Sequence, residues 1–282
     1  MKRRFYATPY ALWMLIFTVV PLLFVVYFAF TSKSGAFTAA NFGKFFRPGN
    51  LPVVFDSFRL AFLCTLICLV VGYPAAYFLS GRDFSRGQAL VVLILLPMWM
   101  NFLLRTYAMM TLLEKNGVIN ALLTWLGLPT QNLIGTEAAV LLGMVYNFLP
   151  FMILPIYTVM KKIDRRVIEA AEDLGAPPLK VFSRVVVPLS VPGVVSGITM
   201  VFMPSVTTFF IPRILGGGNT MMFGDLIENR FLFQGNWNLG SALSETLSST
   251  EWSRKSAWSF RLSGTMEIPR SMAAPGDDAT RR

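Results

Sequence analysis

Five apolar runs long enough to cross a bilayer constrain this chain more than any other feature. They lie approximately at Tyr10–Phe30, Ser57–Leu79, Ala89–Leu113, Ala138–Met160 and Val185–Ile211. Each is close to the roughly 20 residues that a helix needs to traverse hydrocarbon. Backbone N–H and C=O groups in lipid must be satisfied within the protein, which favours helices over open structure. The expected fold class is therefore all-α: a polytopic membrane helix bundle with five transmembrane helices. Composition agrees, since 54% of the 282 residues are hydrophobic and 14% are charged, against roughly 25% charged in an ordinary soluble domain.

Charge placement sets an orientation. Lys2, Arg3 and Arg4 precede the first run, as in a signal peptide. The run is longer than a signal h-region, however, and no small-x-small cleavage site comes after it, so it reads as a retained helix. Its basic start places the N-terminus in the cytoplasm. Counting spans then puts the Gly81–Gln88 loop and the segment after Met160 on the same side. Lys161, Lys162, Arg165 and Arg166 stand there, with Lys180 and Arg184 close behind. The outer Thr31–Asp56 loop also carries Lys33, Lys44 and Arg47, so the bias is real but imperfect. Membrane topology explains the net charge of +10 better than nucleic acid does.

The segment from Ile163 to Pro177 is a polar island written as a short helix with both ends specified. Asp164 is placed to accept from the first-turn N–H groups. Ile163 and Ile168 occupy the two positions of a hydrophobic staple. Gly175 supplies a left-handed stop, and Pro177 and Pro178 prevent continuation. Ala170 and Ala171 leave part of the helix nearly bare, so another protein can approach its backbone closely.

Within the spans, Gly193 and Gly197 form a small-xxx-small pair suited to close helix packing. No aspartate or glutamate lies at membrane depth, which argues against a proton- or sodium-coupled carrier built on buried carboxylates. Arg105 is the ionisable group set in apolar sequence, with Asn101 one turn before it and Trp99 and Tyr107 at its flanks. Tyr146 and Asn147 interrupt the fourth span similarly. These six residues are candidates to line a passage, and for the aromatics core or interfacial anchoring is an equal reading.

Chemistry of turnover is not visible. Gly216-Gly217-Gly218-Asn219 lacks the Lys-Ser or Lys-Thr of a phosphate loop and reads as a flexible turn. Asp225 and Glu228 share a helix face and read as a solvated pair. Cys64 and Cys68 lie one turn apart in an apolar span without other soft ligands, so they are packing residues. The chain contains no histidine, which removes the commonest metal ligand and general base. No metal and no cofactor are expected, and the chain is not an enzyme.

The island and the start of the fifth apolar run resemble a known family. Glu169-Ala170-Ala171, Gly175, Val187-Pro188-Leu189 and Pro192-Gly193 match the signature loop of binding-protein-dependent ABC importer permeases. The run Pro97 to Tyr107, with Val145-Tyr146, Leu149-Pro150-Phe151 and Leu154-Pro155-Ile156-Tyr157, is similar to the spermidine/putrescine permeases. The resemblance covers roughly Tyr10 to Ala242. It implies a permease subunit of an ATP-driven importer in the bacterial plasma (inner) membrane. It further implies a cytoplasmic ATPase dimer, a second permease subunit of the same fold and an extracytoplasmic solute-binding protein as partners. The island becomes a cytoplasmic coupling helix that docks on the ATPase, with Asp164, Glu169, Ala170, Ala171, Asp173 and Gly175 as its residues.

The expected permease domain is 1–243. Beyond Ser244 the sequence departs from the family pattern of a sixth span and turns rich in Ser, Arg, Gly and Pro. The segment 244–282 is expected to be disordered, and a shifted reading frame explains the change most simply. The alternative function is a truncated, non-transporting permease that keeps only partner binding.

Overall fold

The computed structural model describes residues 9–10, 12–32, 35–43, 49–81 and 84–246, with the backbone alone for 84–88. The expected tail, from 247 onward, lies outside the described residues. The chain divides into two compact units, one formed by 1–42 with 237–282 and the other by 43–236.

In the first unit, helix α1 (Leu12–Ala29) is an apolar rod with only 6% of its residues buried. Pro21 lies in the first turn of its regular α part, where a missing N–H costs nothing. Its C-terminal carbonyls are taken up by two asparagines. Asn41 Nδ2 donates to Ala29 O at 3.2 Å and Thr31 O at 3.0 Å, and Asn238 Nδ2 donates to Phe28 O at 3.2 Å. A helix end left without such partners in a membrane protein would strand its last carbonyls. Residues 237–246 are helical and pass beyond residue 243.

The second unit contains α2 (Leu51–Ser80), α3 (Phe84–Leu95) continued by a 3₁₀ turn Leu96–Trp99, α4 (Phe102–Leu113) and α5 (Val118–Trp125). After these come α6 (Glu137–Met160), the short α7 (Arg165–Asp173) and α8 (Pro178–Thr207). Two short helices close it, α9 (Phe210–Leu215) and α10 (Phe223–Glu228). The core is the packing of α2, α6 and α8, with Leu60, Cys64, Cys68, Met144, Met152, Ile156 and Val201 buried between them. Cys64 and Cys68 are unbridged and buried.

Both ends of this bundle can be traced. Ser80 Oγ lies 3.9 Å from Met160 Sδ, so α2 and α6 finish together, next to α7. At the opposite end Arg59 Nη2 meets Glu137 Oε2 at 2.6 Å. The chain therefore leaves the α7 end at Ser80 and enters α6 at the far end. The intervening pair Ala89–Trp99 and Phe102–Trp125 carries it across, bent by 94° at a break. The third crossing is thus not the straight helix that its apolar run predicts. Met100 is extended (φ −74°, ψ 149°), and Asn101 starts the next helix by accepting from Leu103 N at 2.8 Å. With this bent pair counted as one span, the candidate spans among the described residues number five, the number that the sequence predicts.

Gly193 and Gly197 behave as the small-xxx-small reading requires. A Cβ on Gly193 would lie 2.9 Å from Pro155 O and 3.0 Å from Ile156 Cα, and one on Gly197 would lie 2.8 Å from Met152 Sδ. Only hydrogen fits between α8 and α6 here. A second close approach fixes α10: Gly224 sits where a Cβ would be 2.2 Å from Thr207 O, and Phe223 N donates to Ser57 Oγ at 2.7 Å.

Candidate functional site

The polar island folds as its sequence directs. Asp164 Oδ1 accepts from Arg166 N at 3.0 Å, which satisfies one of the N–H groups that a helix start leaves open. At the other end Gly175 has φ +76°. Its N–H donates to Glu172 O at 2.8 Å, and Ala176 N–H reaches back to Ala171 O at 3.2 Å. This pair of bonds is a Schellman stop.

Ile163 and Ile168 are half-buried and pack on the bundle core. The remaining surface of α7 is turned outward: none of its residues is fully buried. Asp164, Glu169, Ala170, Asp173 and Gly175 are exposed, while Ala171 is half-buried. Arg165 Nε pairs with Glu169 Oε1 at 3.6 Å across one turn, an exposed contact of little energetic weight. Val167, Leu174 and Leu179 add exposed apolar surface around the same helix, with Leu174 89% exposed. A rigid, capped helix held by two isoleucines thus offers alanine and leucine outward.

The six passage candidates do not share one environment. Trp99 is 88% exposed at the break, and Tyr107 and Tyr146 are exposed to lesser degrees. Asn101 is spent in part on capping α4. Arg105 and Asn147 are buried. The Arg105 guanidinium lies 5.9 Å from the Phe102 ring centroid, and its Nε has no hydrogen-bond partner. Asn147 Nδ2 donates to Gly143 O at 2.9 Å, while its Oδ1 is buried without a partner.

Asp225 and Glu228 are not the solvated pair that spacing suggests. Arg213 Nη1 reaches both Glu228 carboxylate oxygens, at 3.1 and 2.9 Å, and its guanidinium stands over Phe233. Burial pushes the Asp225 carboxyl up from 3.8 to about 6. The Met222 N–H pulls it down, the Glu228 charge adds to the rise, and Arg213 opposes it. The folded chain consequently holds this proton more tightly than the unfolded chain does. As pH rises from 3.8 through about 6, the α10 region should lose stability. The protection of amides 223–228, taken relative to their intrinsic exchange rate at each pH, is expected to fall across that window, and Asp225→Asn should abolish the fall. An unchanged profile in Asp225→Asn would assign the effect to another group.

Sequence reasoning passed over a further cluster beside α7. Phe182, the first residue of a π-helical segment Phe182–Val186, lies edge-on to Tyr73 and Tyr77 of α2, with centroids 6.0 and 4.9 Å away. The i, i+4 spacing of the two tyrosines was the signal that could have found it.

The chain is thus a multi-pass helix bundle that carries an exposed, capped helix between two of its candidate spans. The profile of the family "Binding-protein-dependent transport system inner membrane component" matches residues 68–249. The chain is 36% identical over 240 residues to the spermidine/putrescine transport system permease protein PotB of Haemophilus influenzae, covering 82% of this chain and 84% of that one. It is 34% identical to the PotB protein of Escherichia coli K12, over 83% of this chain and 88% of the other. A bacterial ABC transporter that imports the acidic polysaccharide alginate has the same fold. Its TM-score is 0.74 at 17% identity, over 87% of this chain and 90% of that chain. This chain belongs to the family of inner membrane components of binding-protein-dependent transport systems. It is a transport subunit of the plasma membrane, not an enzyme.

Proposed function

We propose that this chain is one permease subunit of a spermidine/putrescine importer and that α7 is its docking element for a cytoplasmic ATPase. The observation that carries the docking role is the Schellman-stopped, outward-facing α7. Its alanine and leucine surface is left bare while its isoleucines are tied to the bundle. The substrate class rests on the likeness to the PotB proteins along more than four-fifths of the chain. Glu169, Ala170 and Ala171 form the contact surface, Asp164 and Gly175 fix the ends of the helix, and Asp173 lies in its last turn. A second permease completes the passage, and an extracytoplasmic binding protein delivers the solute. The N-terminus and α7 face the cytoplasm, in line with the basic residues at both places.

Carboxylates are absent from the middle of the spans, so the passage would receive a polyamine through aromatic faces and carbonyl dipoles. Trp99, Tyr107 and Tyr146 are exposed and suited to this, and Asn101 stands near Trp99 at the break. Arg105 and Asn147 are buried. Nothing among the described residues favours the alternative of a chain that only binds partners.

The test is reconstitution in proteoliposomes with the cognate ATPase, second permease and binding protein. ATP-dependent uptake of labelled spermidine, competed by putrescine, is expected. Glu169→Lys should lower uptake and weaken ATPase docking while leaving membrane insertion intact. Uptake of another solute in place of spermidine would overturn the substrate, and parental docking by Glu169→Lys would overturn the assignment of α7.

A further inference from the structure

We propose that Phe182, seated edge-on against Tyr73 and Tyr77, is the joint that delivers movement of α7 to α2. This rests on the reading that α7 docks on the ATPase. Gly175 ends α7, and only Ala176 and Pro177 separate that stop from α8. Pro177 has a fixed φ of −67°, so little slack lies between the two helices. A displacement of α7 therefore enters the first turns of α8 directly.

Those first turns are unusual. Pro178–Val181 is α-helical, Phe182–Val186 is π-helical, and Val187 N–H bonds to Phe182 O to close the wider turn. A π segment holds a surplus residue within a helix and marks sites where register can change. Contacts to α2 stand at its first residue and again past its end. At its start, the Phe182 ring meets Tyr73 at 80° and Tyr77 at 76°, the edge-to-face arrangement that aromatic quadrupoles favour. After it, Ser190 Oγ lies 2.8 Å from the Tyr73 hydroxyl. Ser190 gives its own proton to Val187 O at 2.8 Å, so Tyr73 is the donor to Ser190.

Tyr73 is thus held by one helix at the first residue of the π segment and again four residues past its end. Any change in the axial spacing between Phe182 and Ser190 has to move Tyr73 or part it from one of them. With Tyr77 sharing the Phe182 edge, the strain passes into α2, which runs the whole depth of the bundle beside α6. Further along, Gly193 and Gly197 lock α8 to α6. The part of α8 left to move is the stretch ahead of Ser190. Phe182 is a positioning residue: it touches no solute and acts through α2.

The experiment uses the complete reconstituted complex and reads spermidine uptake per ATP hydrolysed. Cross-linking of a cysteine at Ala170 to the ATPase is read in parallel, with Cys64 and Cys68 replaced. Phe182→Ala should lower uptake per ATP about tenfold or more, the scale set by two lost edge-to-face pairs, while the cross-link persists. Phe182→Tyr, which keeps the ring, should restore the ratio. Tyr77 is 44% exposed, so Tyr77→Ala leaves no sealed cavity and should lower the ratio even where Phe182→Ala assembles poorly. A persistent cross-link with an unchanged ratio in both alanine variants overturns the joint. Absence of the cross-link in the otherwise unaltered complex overturns the docking reading instead.

Discussion

Gly175→Pro should reduce uptake about tenfold or more while the spans still insert. Proline fixes φ near −65°, whereas Gly175 sits at +76°. The substitution also removes the N–H that donates to Glu172 O. A backbone mismatch of about 1–3 kcal/mol and a lost hydrogen bond of about 1 kcal/mol act together on the stop that aims α8 away from α7. Apart from its chain neighbours, nothing lies within 4 Å of the position that a Cβ would take, so the effect arises in the local backbone. Gly175→Ala therefore serves as the graded control, with a left-handed penalty of about 1 kcal/mol and a smaller fall in uptake. Uptake assays with membrane abundance checked by immunoblot decide the matter. Parental uptake by Gly175→Pro would show that the aim of α7 is irrelevant to coupling.

The second large effect concerns packing between α6 and α8. Gly193→Ala should destabilise the chain by about 1–3 kcal/mol, the usual range for overpacking, and Gly193→Leu should prevent assembly. Gly197→Ala should cost less. The reason lies in what each new Cβ would meet. At Gly193 the obstacles are backbone atoms of Pro155 and Ile156, at 2.9 and 3.0 Å, which cannot yield without moving α6. At Gly197 the nearest obstacle is the Met152 thioether at 2.8 Å, the end of a flexible side chain. Close fit matters especially here, because lipid supplies no hydrophobic force to press helices together. Thermal unfolding of the purified variants in mild detergent gives the ranking. A greater loss for Gly197→Ala than for Gly193→Ala would mean that α8 does not meet the α6 backbone at Gly193.

Much of the architecture was legible in the sequence, for physical reasons that differ by element. Long apolar runs report spans because lipid admits little else. The ends of α7 were legible because capping depends on local residue types: Asp164 at the start and Gly175 at the stop. Gly193 and Gly197 likewise announced a close helix crossing. The bend at Met100 was not legible, since Pro97 also occurs in continuous helices and the apolar run does not stop there. The fates of Asp225 and Glu228 were hidden because Arg213, which pairs with Glu228, comes from another element. Phe182 was missed for the same reason: its partners lie more than one hundred positions earlier, on α2. Arg105 and Asn147 could be picked out as polar in apolar surroundings, but their burial depends on tertiary packing.

The break in the third crossing has a mechanical consequence. The first rod ends with Met100 N–H bonded to Pro97 O, and the second begins with the Asn101 side chain and Arg105 N–H bonded to Asn101 O. Each rod therefore closes its own ladder. In hydrocarbon, parting a backbone hydrogen bond is among the costliest things a helix can do. A change of angle at Met100 parts none of these bonds, so the two extended residues Met100 and Asn101 join α3 and α4 without tying the backbone ladder of one to that of the other.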